Sequence, residues 1–267
     1  MTSFQKVIRY IAIGLSVLLA VSIVCGIICV VGFWGGFLFD DATAQDMKTY
    51  TIAPGINSLY VDINAADITV KQGESFSVES NLKHLTVKDK NGLLYIKDAK
   101  KLFGNYNKSA LIITIPPGVV FNKAELEAGA GRFTVDTLSA KVLNCDFGAG
   151  EVIIDSLSVS TKADIDGGAG EITISGGSIN NLDFDMGVGK LNFTSLLTGE
   201  CDFDLGVGES NITLRGAKDN YTLDIEKGIG KVIVDGDNIS NTSGLGNGQN
   251  KVEISGGIGA INVKFEK

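Results

Sequence analysis

The chain has 267 residues, with 23 Lys and Arg against 31 Asp and Glu, one histidine and four cysteines. The resulting net charge of −8 opposes non-specific nucleic-acid binding, and so few His and Cys exclude a zinc site built from those ligands. The length allows one extended domain or one to two compact ones.

Residues 1–9 form a short N-terminal segment containing Lys6 and Arg9, and thirty residues without a charge follow, from Tyr10 to Phe39. The run from Ile11 to Val31 is dominated by Ile, Val, Leu and Ala. At ~1.5 Å rise per residue, ~20 such residues cross a hydrocarbon core of ~30 Å. Residues 10–39 are therefore predicted to be a single transmembrane anchor. Lys6 and Arg9 precede it while Asp40, Asp41 and Asp46 follow, which places the N-terminus in the cytoplasm and the C-terminal domain outside the cell. The competing reading is a signal peptide cleaved after Ala44, because Ala42-Thr43-Ala44 fits the small-residue pattern. Its apolar segment, however, should be only ~7 to 15 residues long. Cys25 and Cys29 follow Ile23-Val24 and Ile27-Ile28, too bulky to precede a lipid-modified cysteine, and read as apolar residues of the helix.

All 31 acidic residues lie beyond Phe39 with 21 of the 23 basic ones, so the exported part carries −10. That charge suits solubility, or contact with cations and basic peptides. After a linker at 40–48, residues 49–123 are rich in strand patterns: LYVDINAADITV, SFSVESN, LTVKD, GLLYIKD and ALIITIPPGVVF, separated by turns at Gly55, Gly73 and Asn91-Gly92. An exposed solenoid end offers unpaired strand edges, so this region is assigned as an N-terminal cap and first coils.

From 124 to 267 one motif recurs, as in CDFGAGEVIID and DFDLGVGESNI. Its paired glycines are Gly129 and Gly131, Gly148 and Gly150, Gly168 and Gly170, Gly187 and Gly189, Gly206 and Gly208, and Gly228 and Gly230, with a looser match at Gly257. Successive first glycines lie 19, 20, 19, 19, 22 and 29 residues apart. A period of about twenty is a solenoid signal. Before each motif the third and fifth residues back are apolar (Phe184 and Leu182, for example), and the second and fourth are acidic or polar (Asp185 and Asp183), the alternation of a half-buried strand. The apolar parity is opposite after the motif, so the chain must bend or bulge there, which glycine permits. No helix pattern follows any copy, which rejects a dinucleotide-binding loop. The predicted fold is an all-β, β-helix-like solenoid of about twenty-residue coils with GxG corners and parallel sheets, preceded by one transmembrane helix. Cys145 and Cys201 fall three rungs apart, ~14 Å at ~4.8 Å per rung, beyond the ~7 Å reach of a disulfide, and are expected to be buried free thiols. The ending VKFEK would place Lys264, Glu266 and Lys267 at the far edge, where charge discourages end-to-end stacking.

With LYVDINAADITV, SALIITIPPGVVF and the GAG and GVG copies in view, the chain resembles the LiaG-like putative adhesin family over about Met47 to Lys267. The resemblance implies β-repeat architecture and a role in envelope stress or surface interaction, and supplies no catalytic motif.

His84, in NLKHLTV, reads as a structural or surface residue, and no serine lies in a nucleophile elbow. No cofactor is expected. The nonapeptide calcium repeat is rejected because Ile172 stands where GGAGEITIS would need an aspartate. Carboxylates are the one rich resource. Asp164, Asp166, Asp183, Asp185, Asp202 and Asp204 should form two columns across three coils, a face for a cation or basic ligand, or a solvated face that deters aggregation. The function read from this is a non-catalytic, membrane-anchored binding module whose partner could be a cell-wall polymer, an envelope protein or a cationic peptide, with oligomeric state open. A polysaccharide-acting lyase or hydrolase is the alternative, but an active site should break the repeat, and Arg132, Lys190, Arg215 and Lys231 are scattered.

Overall fold

The structure, a computed structural model, describes residues 46–99, 108–240 and 242–266. The expected anchor at 10–39 lies outside these, as does Lys267; among the described residues no helix is long and apolar enough to cross a membrane.

The chain forms β1 (Lys48–Thr51), β2 (Ser58–Ala65), β3 (Asp67–Gln72), β4 (Ser77–Ser80), β5 (Leu85–Lys90), β6 (Leu93–Asp98) and β7 (Ala110–Ile115). A continuous extended run, β8 (Phe121–Ile174), precedes β9 (Gly177–Asn180), β10 (Leu182–Thr198) and β11 (Glu200–Arg215). After one 3-10 turn come β12 (Tyr221–Glu226), β13 (Ile229–Val234), β14 (Asp237–Ile239), β15 (Thr242–Gly246) and β16 (Asn250–Glu266). All belong to one hydrogen-bonded, largely parallel sheet.

Alternation in the sequence becomes alternation in burial. Leu182, Phe184, Cys201, Phe203, Leu223 and Ile225 are buried before their corners, and Leu191, Phe193, Ile212, Leu214, Val232 and Val234 after them. Phe184, Phe193 and Phe203 meet inside, the last two edge to face with centroids 5.2 Å apart, a geometry aromatic rings favour.

The two glycines of a corner do different work. The second has positive φ in every copy, from 122° at Gly131 to 154° at Gly230, a region closed to most side chains. The first needs no positive φ but permits stacking: a Cβ on Gly148 would overlap the carbonyl oxygen of Gly129 in the neighbouring rung. Such corners can pile directly on one another. The corner stacked on Gly129 and Gly131 has no glycine at all, being Asn64-Ala65-Ala66, with Ala65 in register with Ala130.

Stacking order departs from sequence order at both ends. β10 pairs in parallel with β8 and β11 at the rung-to-rung register, but β11 then pairs with β16, Phe203 opposite Ile254 and Ile212 opposite Val263. β12 and β13 stack on the other side of β16. β16 is thus interior from Asn250 to Val263 and not the last rung as expected, while Lys264 and Glu266 have, among the described residues, a strand partner on the β11 side alone. The reason is a reversal at Asp235-Gly236, both with positive φ (50° and 91°), as a type I′ hairpin turn requires. It lays β14 antiparallel on β13, β15 follows antiparallel on β12, and the chain then returns beneath.

The N-terminal end repeats the device. β2 lies between β6 and β8, and β3 between β7 and β8, so the outer rung is again not the first in sequence. Asn91-Gly92, with φ of 52° and 78°, turns β5 antiparallel onto β6, and β4 covers β7. Both open edges are closed by short antiparallel strands, a recognised way to block further pairing.

A third stacked segment pairs 157–159 with 177–179 and 178–180 with 196–198. Where it stops, buried Tyr221 accepts the Leu197 N–H at 3.4 Å and donates to the Arg215 carbonyl at 2.5 Å.

Candidate functional site

The outward residues of the strands before each corner are held in straight columns by the parallel register. Asp164, Asp183 and Asp202 are aligned, as are Asp166, Asp185 and Asp204. The first column continues through Glu253 to Asp224, and the second through Ser255 to Glu226. At the other end, Tyr60 and Asp62 stand opposite Glu125 and Glu127. There the acidic pattern closes: Tyr60 stacks on Tyr95 with centroids 5.0 Å apart, and Lys97 bonds Asp62 at 2.5 Å.

A shallow cleft of about 590 Å³ runs along the first column from Asp183 to Asp224, with Lys162 and Lys251 in its lining. Lys162 lies 3.5 Å from Asp164 and 3.9 Å from Asp183, and Lys251 lies 3.1 Å from Glu200. These few cations do not neutralise the face. Partial burial, then the neighbouring carboxylates, push the carboxyls of Asp166, Asp185 and Asp202 above the usual range. The six predicted aspartates are thus brought together as aligned columns. Among the described residues, however, no group of three or more Asp, Glu, His or Cys is arranged to hold a metal ion. A column spaces its oxygens along a line, whereas a hard divalent ion needs six or more converging on a point.

The scattered cations take other roles. Arg132 pairs with Glu151 at 2.8 Å and Lys190 with Glu171 at 3.4 Å, both beyond the corner, and Arg215 donates to the Ser175 carbonyl at 3.2 Å. Cys145 and Cys201 are buried free thiols, and burial raises both above the ordinary thiol range, which disfavours the nucleophilic thiolate. His84 is exposed.

Beyond the corners, Asn192, Asn211 and Asn262 form a hydrogen-bonded ladder at 3.2 and 2.9 Å. Sequence reasoning missed it because Asn262 belongs to the displaced rung. Also missed was the residue between the paired glycines, which is exposed and apolar in the last rungs; the alternation GAG, GVG, GIG was the available signal.

These features define an all-β, solenoid-like repeat domain with closed ends and an acidic face. The chain belongs to the Toastrack DUF4097 family, which matches residues 56–262. Among solved structures it is similar to a putative adhesin from Parabacteroides distasonis, at 17% identity and a TM-score of 0.45, over 82% of this chain and 96% of that one. A putative adhesin from Bacteroides fragilis is 16% identical with a TM-score of 0.41, over 81% and 95%. A putative lipid binding protein from Parabacteroides distasonis is 16% identical with a TM-score of 0.39, over 86% and 99%. No curated protein matches the chain.

Proposed function

We propose that the chain is a membrane-anchored, extracytoplasmic and non-catalytic binding module of the LiaG-like type, adhesin-like or linked to envelope stress. The observation that carries this is the acidic face: carboxylates aligned through successive rungs, three of which, Asp166, Asp185 and Asp202, are raised by burial and by neighbouring carboxylates. Such a face gains from a cationic or hydrogen-bonding partner, and its uniformity suits an extended polymer or peptide better than a single reacting atom. The uncharged run from Tyr10 to Phe39 supports an anchor with the domain outside.

The test is capture from cell envelopes on the immobilised full chain, beside a variant with all six aspartates changed to asparagine. Enrichment of one wall polymer, envelope protein or basic peptide by the native chain, lost in the variant, is the expected result. Turnover of a glycan by the purified chain would instead favour the lyase or hydrolase.

A further inference from the structure

The residue between the corner glycines points away from the core, and it stacks in register like its neighbours. It is alanine in the early rungs and β-branched in the last four: Val188, Val207, Ile258 and Ile229, in that spatial order. They are 38%, 37%, 39% and 52% exposed, and make up half of the exposed large apolar side chains among the described residues. Scattered exposed aliphatics need no explanation, but four in one line form a patch. Beside this ridge, three residues earlier in each rung, stand Asp185, Asp204, Ser255 and Glu226, with Lys227 next to the last and lining the groove at Ile229. The opposite shoulder is mixed in sign, with Lys190, Glu209 and Lys231.

We infer that the ridge and the adjoining acidic column form one docking surface for a basic amphipathic helix of a partner protein, lying along the stacking direction. This rests on the binding-module reading above and names the partner's chemistry. The spacing selects a helix. Rungs repeat every ~4.8 Å, close to the ~5.4 Å pitch of a helix bearing one apolar residue per turn. Over three steps the mismatch is ~2 Å, whereas same-face residues of an extended strand, ~6.6 Å apart, would drift by ~5 Å. Charge selects the sign: Lys or Arg on one flank of the helix would reach Asp185 and Asp204. Burial and the Asp204 and Asp166 carboxylates already raise the Asp185 carboxyl, so a cation there relieves repulsion. A second copy of the chain fits less well, because a single file of four side chains falls far short of the ~800 Å² per partner of a stable dimer and would set acidic columns against each other.

The experiment is fluorescence anisotropy with the full chain and a labelled synthetic helix of about 15 residues, bearing one leucine per turn and lysines along one flank. A peptide of equal composition but scrambled order is the control. Saturable binding of the helix is expected, weakened about ten-fold or more in Val188→Ser/Val207→Ser/Ile258→Ser/Ile229→Ser and in Asp185→Asn/Asp204→Asn. Should the quadruple variant melt early, Val207→Lys alone gives the same reading. The inference is overturned if the helix does not bind, if the scrambled peptide binds equally, or if folded ridge variants bind unchanged. It is equally overturned if the ridge governs only self-association, or only binding to phosphatidylcholine or phosphatidylglycerol vesicles. Envelope capture that persists while the helix fails would sink this inference and leave the binding module standing.

Discussion

Asn262 donates its side-chain amide to Asn211, 51 residues earlier, at 2.9 Å, and Asn211 donates in turn to Asn192 at 3.2 Å. This ladder passes over the rung that follows Asn211 in sequence and makes β16 an interior strand. Chain termini usually fray, so hydrogen exchange should separate interior from terminal behaviour. Amides of Val252, Ile254, Ile261 and Val263 are expected to be protected as strongly as those of Phe203 and Ile212, and more strongly than those of β14 and β15. Fast exchange through β16 would contradict the interleaved order.

The corner glycines yield a graded pair of mutants. In Gly187→Ala the new Cβ lies 2.5 Å from the Gly168 carbonyl oxygen. Gly189→Ala overlaps the Gly170 carbonyl and also holds φ at 145°, which alone costs about 1–3 kcal/mol. Urea denaturation should show both variants destabilised, Gly189→Ala the more. Equal and negligible shifts in midpoint would mean the corners tolerate side chains.

Acidification gives a test with a defined sign. The carboxyls of Asp166, Asp185 and Asp202 are raised in the folded chain above an unfolded value of about 3.9. Their contribution is therefore fully present below the unfolded pKa and is lost as pH rises through the folded pKa. Melting temperature should rise as pH falls from 7 towards those raised values, and Asp166→Asn/Asp185→Asn/Asp202→Asn should raise it at pH 7 and flatten the dependence. With no metal-holding group among the described residues, millimolar calcium should do no more than sodium chloride of equal ionic strength. A calcium-specific rise, lost in the variant, would show that the columns bind the ion after all.

Tyr221→Phe removes a hydroxyl that serves both Leu197 and Arg215. Leaving such buried groups unpaired costs about 1–3 kcal/mol, and at roughly 2–4 °C per kcal/mol for a domain of this size the loss should be plain in a thermal melt. An unchanged melt would mean that water replaces the phenol.

The inward and outward faces were legible because a strand has period two: Phe184 and Asp185 declare their sides by chemistry alone. The GxG corners were legible because so many evenly spaced glycines have few other uses. Stacking order was not, since every rung presents the same pattern to both neighbours and Ile254 matches Phe203 as readily as Ile225 does. The hints were the long interval before Gly257 and the Asp235-Gly236 pair, a hairpin signal inside what reads as one more repeat. Asn64-Ala65-Ala66 escaped because it bends without glycine. The acidic columns followed directly from the repeat, whereas the ridge at Val188 and Val207 did not, because attention to glycine hides the residue between.

The interleaving of β16 has a consequence for how the domain comes into being. A repeat array stacked in sequence order could grow rung by rung as it leaves the ribosome or crosses a membrane, each new rung settling on the last. Here β12 and β13 come earlier in the chain with antiparallel partners in β15 and β14, yet their parallel neighbour is the later β16. β16 is in this sense a keystone: for a chain made in sequence order, β11 and the rung of β12 and β13 are joined into one stack only through a strand that is made after both.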